Sequence, residues 1–461
     1  MQATLATAPA AATPAWSGSR VVAAFSALMS FECVFVLFIF SGQYKADPRF
    51  DFLPLDATVL FALLNVIQLV LLAFNSRVQL NPRGAPVIGC GVLFVCYVIL
   101  STLWCEGQYY ANYKAAYVAT INLWCLIAGA LVISSSARRL RRFFSITVLF
   151  SSWIASECLL FYVTQSRFGR VLQINAMAND GAYIGLGRAV MSGALICGLL
   201  WLFGRNLPWG LWKSRAMTVV SLTFLLISGA MVGARGPIVA AALSLMVVSV
   251  LYSGASMKQA VIKNTGRVFS AVIACSVMLF LYKLKTGSLP LIAQRFLAFS
   301  SSSEHYDASG QSLMRLELFY EGFRGWLEKP IFGHGIGGFP LVWGTADERL
   351  FPHNLVLELL CELGVIGTLL FALIPFTAIR LARSDWRRTP AFYKAAVVGV
   401  FGFALLNTMT SGDLPDNRFL FVAIGLLALR APVDDPKPKP TLKHAPPRPL
   451  SPIRQPRALT T

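Results

Sequence analysis

Apolar runs of about 18 or more residues recur along the whole chain, and a run of that length crosses the hydrocarbon core of a bilayer as a helix. Roughly twelve such runs lie near 21–41, 55–75, 85–104, 115–135, 143–164, 188–204, 216–234, 236–254, 266–284, 354–380, 393–411 and 417–431. Backbone in lipid must satisfy its own polar groups, which leaves helices or a closed barrel. A barrel would show short alternating segments instead. Of the 461 residues, 56% are hydrophobic and 13% charged, a balance far too apolar for a soluble protein. The expected fold is therefore all-α and polytopic, with about twelve transmembrane helices.

The formal net charge is +19, but the cations sit in short runs between apolar spans. That pattern reads as membrane topology, and nucleic acid is not an expected partner. Alternate short loops hold Arg77 and Arg83; then "ARRLRR" (137–142); then Arg205, Lys213 and Arg215; then Lys258, Lys263 and Arg267; then "RLARSDWRRTPAFYK" (380–394). The positive-inside rule makes those loops cytoplasmic and puts both termini in the cytoplasm. The first span has about the length to cross a bilayer and no clear small-residue cleavage site, so it reads as an uncleaved helix. The nine cysteines lie in or beside apolar spans without a C-x-x-C pair, and read as small packing residues.

The expected organisation is a cytoplasmic segment over 1–20, nine spans within 21–284, a large outer insertion over 285–353, and three spans within 354–431. A basic, Pro-rich tail over 432–461 follows, expected to be disordered and able to touch anionic headgroups. Within the insertion, "SLMRLELFYEGFRGWLEKP" (312–330) has apolar residues at helical spacing and ends at a proline. It predicts an amphipathic helix near the outer membrane surface. The next residues, "IFGHGIGGF" (331–339), form a glycine-dense turn that suits either close approach to a ligand or a tight reversal.

The outer face carries the residues suited to chemistry. "SGAMVGARGPIVAAA" (228–242) puts Arg235 in a tight turn between spans, and "YIGLGRAVMSG" (183–193) puts Arg188 at the start of another. The insertion adds Arg295, Arg315, Arg324 and Arg349, and "SGDLPDNRF" (411–419) adds Asp413, Asp416 and Arg418. Positive-inside statistics disfavour arginine on this face, so the set asks for an anionic partner. Guanidinium suits phosphate because its planar fork gives permanently charged, paired donors. The plainer account of any single arginine is a local ion pair or headgroup contact.

"PHNLVLELLCELGVIG" (352–367) places His353 and Asn354 at the mouth of an apolar helix that still carries Glu358 and Glu362. A histidine can accept a proton near neutral pH, although one at a helix start is also a common packing or capping residue. Asn354 suits the N-cap, and a buried Glu362 calls for a hydrogen bond, a counter-charge or a proton. Metal ligation is poorly supported: the outer histidines lack ligand spacing, and Asp47, Asp51 and Asp56 are not adjacent. No metal or other cofactor is expected.

These residues resemble the O-antigen ligase and O-antigen polymerase superfamily. His353, Asn354, Leu357, Glu362, Gly364 and Gly367 match its H-N-x-x-L-x-x-x-x-E-x-G-x-x-G element. "GHGIGGF", then Arg315 ahead of Trp326 and "PIFG", then Arg235 in "SGAMVGARG" match its upstream elements. The resemblance implies a glycan donor on undecaprenyl diphosphate at the periplasmic face of the bacterial inner membrane. Arg235 and Arg315, with Arg188 and Arg295, would hold the diphosphate. His353 would take the proton from, or orient, the acceptor hydroxyl. Asn354, Glu362, Gly364 and Gly367 would position its helix, with Asp413 and Arg418 as supporting residues. The acceptor is a lipid-linked repeat unit or lipid A–core; ligases and polymerases share these motifs, and polymerisation is slightly preferred. The expected enzyme is a metal-independent inverting glycosyltransferase. The competing reading is a lipid-linked glycan flippase or polysaccharide transporter, which should line a central cavity with charge at mid-membrane depth. Here the arginines cluster at one face, beside the long insertion.

Overall fold

A computed structural model describes residues 28–44, 55–74, 80–164, 182–204, 214–232, 234–252, 308–386 and 389–429, with the isolated residues 52, 277, 281 and 285. All the regular structure among them is helical. The helices are α1 (Phe31–Ile39), α2 (Ala57–Phe74), α3 (Gly84–Ser101), α4 (Tyr109–Ser135), α5 (Ala137–Thr164), α6 (Ala182–Phe203) and α7 (Arg215–Val232). They continue with α8 (Arg235–Tyr252), α9 (Ala308–Glu328), α10 (Phe339–Trp343), α11 (Leu355–Trp386), α12 (Ala391–Thr408) and α13 (Arg418–Leu427). Nine helices among the described residues are long and apolar enough to cross a membrane. Of the other three expected spans, one is described only as α1, one (266–284) lies outside the described residues apart from 277 and 281, and one is the ten-residue α13.

Burial sorts the helices. α6 is the most enclosed spanning helix and packs against α5, α7, α8 and α12. α2 is the least enclosed and presents Val59, Leu63, Ile67, Val70 and Leu71 outward, as a lipid-facing helix should. Small residues set the closest approach: a Cβ on Gly129 would lie 2.8 Å from the Val422 carbonyl oxygen, so α4 and α13 meet backbone to backbone. Glu32 of α1 pairs with Arg139 of α5 at 3.1 Å.

The insertion helix α9 starts four residues before the expected segment and stops just short of Pro330, which cannot continue the ladder. It packs on α11. The glycine-dense segment that follows meets another stretch of backbone. α11 is broken at Gly364, whose φ of 64° and ψ of −167° are open only to glycine. At the break, the carbonyls of Cys361 and Glu362 accept the N–H groups of His334 (2.9 Å) and Gly335 (2.8 Å). The freed N–H groups of Val365 and Ile366 donate to the carbonyls of Pro330 (2.9 Å) and Ile331 (3.3 Å). The broken helix and the loop thus satisfy each other's backbone, which an apolar environment demands. A Cβ on Gly364 would lie 2.2 Å from the Ile331 carbonyl oxygen, and one on Gly333 2.4 Å from the Glu362 carbonyl.

Gly364→Ala should therefore destabilise the fold by roughly 3 kcal/mol or more, through backbone strain and the clash together. Gly89→Ala in α3, where an added Cβ meets nothing within 4 Å, is the control. Thermal unfolding in detergent should show a clear drop in midpoint for the first and none for the second.

Candidate active site

One end of the bundle is closed by two short segments, 344–354 before α11 and 409–417 before α13. Asn354 caps α11 as its sequence suggested: its Oδ1 accepts the N–H groups of Val356 (3.0 Å) and Leu357 (3.2 Å). Its Nδ2 donates to the Met409 carbonyl at 3.2 Å, tying the helix start to the second segment. His353, just ahead of the cap, has a φ of 55° and is the one non-glycine residue with positive φ among the described residues. That conformation costs about 1–2 kcal/mol for a side-chain-bearing residue. The His353 ring packs 4.4 Å from Phe351, centroid to centroid.

His353 faces a cavity of about 630 Å³ whose wall also includes Arg188, Arg315, Arg349, Asp416 and Arg418. Its Nδ1 is buried without a hydrogen-bond partner among the described residues. Burial pushes the imidazole down to about 4, with the Arg315 cation next in weight and Arg188 and Arg349 adding to it against Asp413. The ring is neutral at physiological pH and able to accept a proton.

The cations around it are held differently. Arg188, on α6, donates through Nη2 to the carbonyls of Asn407 (3.1 Å) and Ser411. Arg418 donates to the Phe38 carbonyl (3.0 Å), Ser41 Oγ (2.7 Å) and the Tyr117 hydroxyl. Arg315, half-buried on α9, makes no ion pair among the described residues. Among the described residues all three are met by neutral groups or by none, which leaves their charge available to an anion. Arg349 differs, pairing with Asp416 at 2.5 Å and Asp413 at 3.6 Å.

The acids of the α11 motif point away from the cavity, into a buried cluster around Lys114 of α4. Lys114 Nζ lies 2.6 Å from Glu358, 2.7 Å from Glu362 and 3.0 Å from Asp413. Tyr110 donates its hydroxyl to Asp413, and the Leu414 N–H donates to Glu358 at 2.9 Å. Burial works against the charge of Asp413, but Lys114, with the hydrogen bond from Tyr110 and the nearby Arg349 cation, holds its carboxyl below the ordinary range. Among the described residues, no group of three His, Cys, Asp or Glu side chains is arranged to hold a metal.

Of the expected site residues, His353, Arg188, Arg315 and Arg418 meet at the cavity. Arg235 opens α8 and is not among the lining residues, and Arg295 lies outside the described residues. Asp413 and Glu362 belong to the Lys114 cluster, and Gly364 is the break that receives the glycine loop. Gly367 packs against Leu363 and Tyr97, where an added Cβ would come within 2.3 Å of the Leu363 side chain. His334 is structural: its Nε2–H donates to the Gly325 carbonyl at 2.9 Å, and burial pushes its imidazole below the usual range. Lys114 is the residue the sequence reading passed over, because the span was begun at 115 and α4 begins at Tyr109. Its signal was a lone lysine inside an apolar helix facing two acids in another.

Residues 220–372 match the family model described as O-Antigen ligase. The matched stretch runs from α7 into α11 and includes Arg235, Arg315, the glycine loop, His353 and Gly364, while Arg188, Lys114 and the 409–417 segment lie outside it. No curated protein matches the chain. With nine membrane-length helices among its described residues the chain is a multi-pass membrane protein, and through residues 220–372 it is similar to the O-antigen ligase family.

Proposed function

We propose that the protein is a glycosyltransferase that moves a glycan from undecaprenyl diphosphate to an acceptor glycan at the periplasmic face of the bacterial inner membrane, with both termini in the cytoplasm. The preferred acceptor is a second lipid-linked repeat unit, making the protein an O-antigen or exopolysaccharide polymerase; lipid A–core, the acceptor of a ligase, is the alternative. One observation carries the reading: a histidine with an unpartnered, buried Nδ1 shares a cavity with three guanidinium groups that no carboxylate pairs among the described residues.

The donor diphosphate lies against Arg188 and Arg315, with Arg418 adding its field. Arg235 and Arg295 are assigned to the same diphosphate by the family resemblance. The acceptor hydroxyl attacks the anomeric carbon opposite the diphosphate. A carbon–oxygen bond forms there, the bond to phosphate breaks, and the diphosphate leaves with the electron pair. His353 takes the hydroxyl proton, and back-side attack inverts the anomeric centre. Fixed guanidinium groups stabilise the growing negative charge, the task a divalent cation performs in other transferases.

The test is transfer by purified protein in detergent with EDTA, using undecaprenyl-diphosphate glycan as donor. Lipid A–core and further donor are offered separately as acceptors. A ladder of lipid-linked chains identifies a polymerase, and single capping of lipid A–core a ligase. His353→Ala should lower the rate by about 100-fold or more. Full activity in that variant would sink the assignment, and a requirement for magnesium or manganese would sink the metal-independent mechanism.

The pH profile gives a second check. In the free protein His353 accepts a proton only at about pH 4. The acidic limb of kcat/KM, which reports the free enzyme, should therefore fall well below pH 6. Bound diphosphate offsets the arginine charges and raises the imidazole, so the limb of kcat should lie at higher pH. Arg315→Gln removes the largest charge holding the imidazole down and should move the kcat/KM limb upward. Superimposable limbs in wild type and variant would contradict this electrostatic account.

A further inference from the structure

Lys114 has no part in the chemistry above, yet its surroundings join the two halves of the site. Tyr110, Lys114, Tyr117 and Asn122 lie along one side of α4, and each meets the segment before α13 or its first residue. Tyr110 and Lys114 hold Asp413, Asn122 Nδ2 donates to the Leu414 carbonyl at 2.8 Å, and the Tyr117 hydroxyl meets Arg418. Two wide π-type turns, at Val118–Asn122 and Ala128–Val132, interrupt the α4 ladder along this stretch.

Among the described residues of α4, the Lys114 ammonium touches both partners that matter. On one side it contacts Glu358 and Glu362, in the first turns of the helix that follows His353. On the other it contacts Asp413, two residues beyond the Ser411 carbonyl that accepts from Arg188. Gly412 rests on the same guanidinium; with φ 88°, an added Cβ would lie 2.9 Å from Arg188 Nη1. The separation of base and anion-binding group is therefore bridged by this cation, alongside the Asn354–Met409 and Glu358–Leu414 hydrogen bonds.

We propose that Lys114 is a positioning residue for glycosyl transfer: it fixes the distance between His353 and the Arg188-bearing wall of the cavity by clamping Asp413 to Glu358 and Glu362. The inference rests on the transferase reading above. It adds α4, which lies outside the family-matched stretch, to the residues that control the reaction. Misplacement of a reacting group by about 1 Å can cost about 100-fold in rate, so the clamp should act on turnover.

The test uses the full-length protein in detergent with two variants. Lys114→Met removes the clamp. Lys114→Met with Glu358→Gln also removes the clamp but restores the cluster's formal charge, so it is expected to fold where the single variant does not. Both should lower kcat by about 100-fold while donor KM changes far less. Hydrogen exchange at 409–418 should speed up in whichever variant is folded. Recovery of wild-type kcat in the charge-restored variant would overturn the proposal, because Lys114 would then serve only to balance charge. Unchanged exchange at 409–418 in a folded variant would overturn it as well. If the wild-type protein transfers no glycan to any acceptor, the transferase reading falls separately. The exchange measurement then decides by itself whether Lys114 holds the segment.

Discussion

A lysine buried inside a membrane-length helix is costly unless its charge is met, and removing one member of a buried pair leaves the other uncompensated. Lys114 is fully enclosed, and the three carboxylates around it come from two other parts of the chain, Glu358 and Glu362 from α11 and Asp413 from the segment before α13. That requirement links α4, α11 and the 409–417 segment more tightly than apolar contact could, because hydrocarbon side chains slide past one another where ion pairs do not. The arrangement of the cavity follows from it. Asn354 and the Met409 carbonyl, Glu358 and the Leu414 N–H, and Arg188 and the Ser411 carbonyl all lie along the same seam.

The broken helix supplies the second constraint. With its ladder interrupted at Gly364, α11 would leave backbone groups exposed to lipid unless another segment took them up. The residues from Pro330 to Gly335 do so, which explains why glycines recur in both segments: each backbone approaches the other too closely for a Cβ. The same contact anchors α9, and with it Arg315, against α11. Glycine spacing that could be taken for a ligand-binding loop is here a joint between two pieces of one scaffold.

Much of this was legible in the sequence, and the remainder was not for identifiable reasons. Hydrophobic length gave the membrane-crossing helices, because lipid imposes one uniform requirement on every span. The Asn354 cap, the stop at Pro330 and the amphipathic α9 were readable because each is local. The pairing of Lys114 with Glu358 and Glu362 is long-range: the residues lie more than 240 positions apart, and nothing in either segment names the other. Arg188 and Arg235 show the same limit in another form. The sequence put both at helix starts beside a glycine, and the Arg235 turn had the better motif match, yet Arg188 lies inside α6 and lines the cavity while Arg235 opens α8 and does not. Where each helix begins and which way it faces are properties of packing.

The distribution of charge gives these pieces a common logic. Carboxylates near the site are gathered behind its wall, where Lys114 engages Glu358, Glu362 and Asp413, or at its rim, where Asp416 holds Arg349. Arg188 and Arg418 instead donate to carbonyls and hydroxyls, which orient them without cancelling their charge. Had Asp413 turned into the cavity to meet Arg188 or Arg315, the wall would be neutral and an anionic substrate would have to displace a salt bridge. By drawing Asp413 the other way, Lys114 keeps the cavity positive within surroundings of low polarity, where each uncancelled charge acts over a longer range than in water. Burial first, and the same field second, depress the His353 imidazole and keep it neutral. The placement of charge thus keeps the cavity cationic and reinforces the effect of burial on the histidine it surrounds.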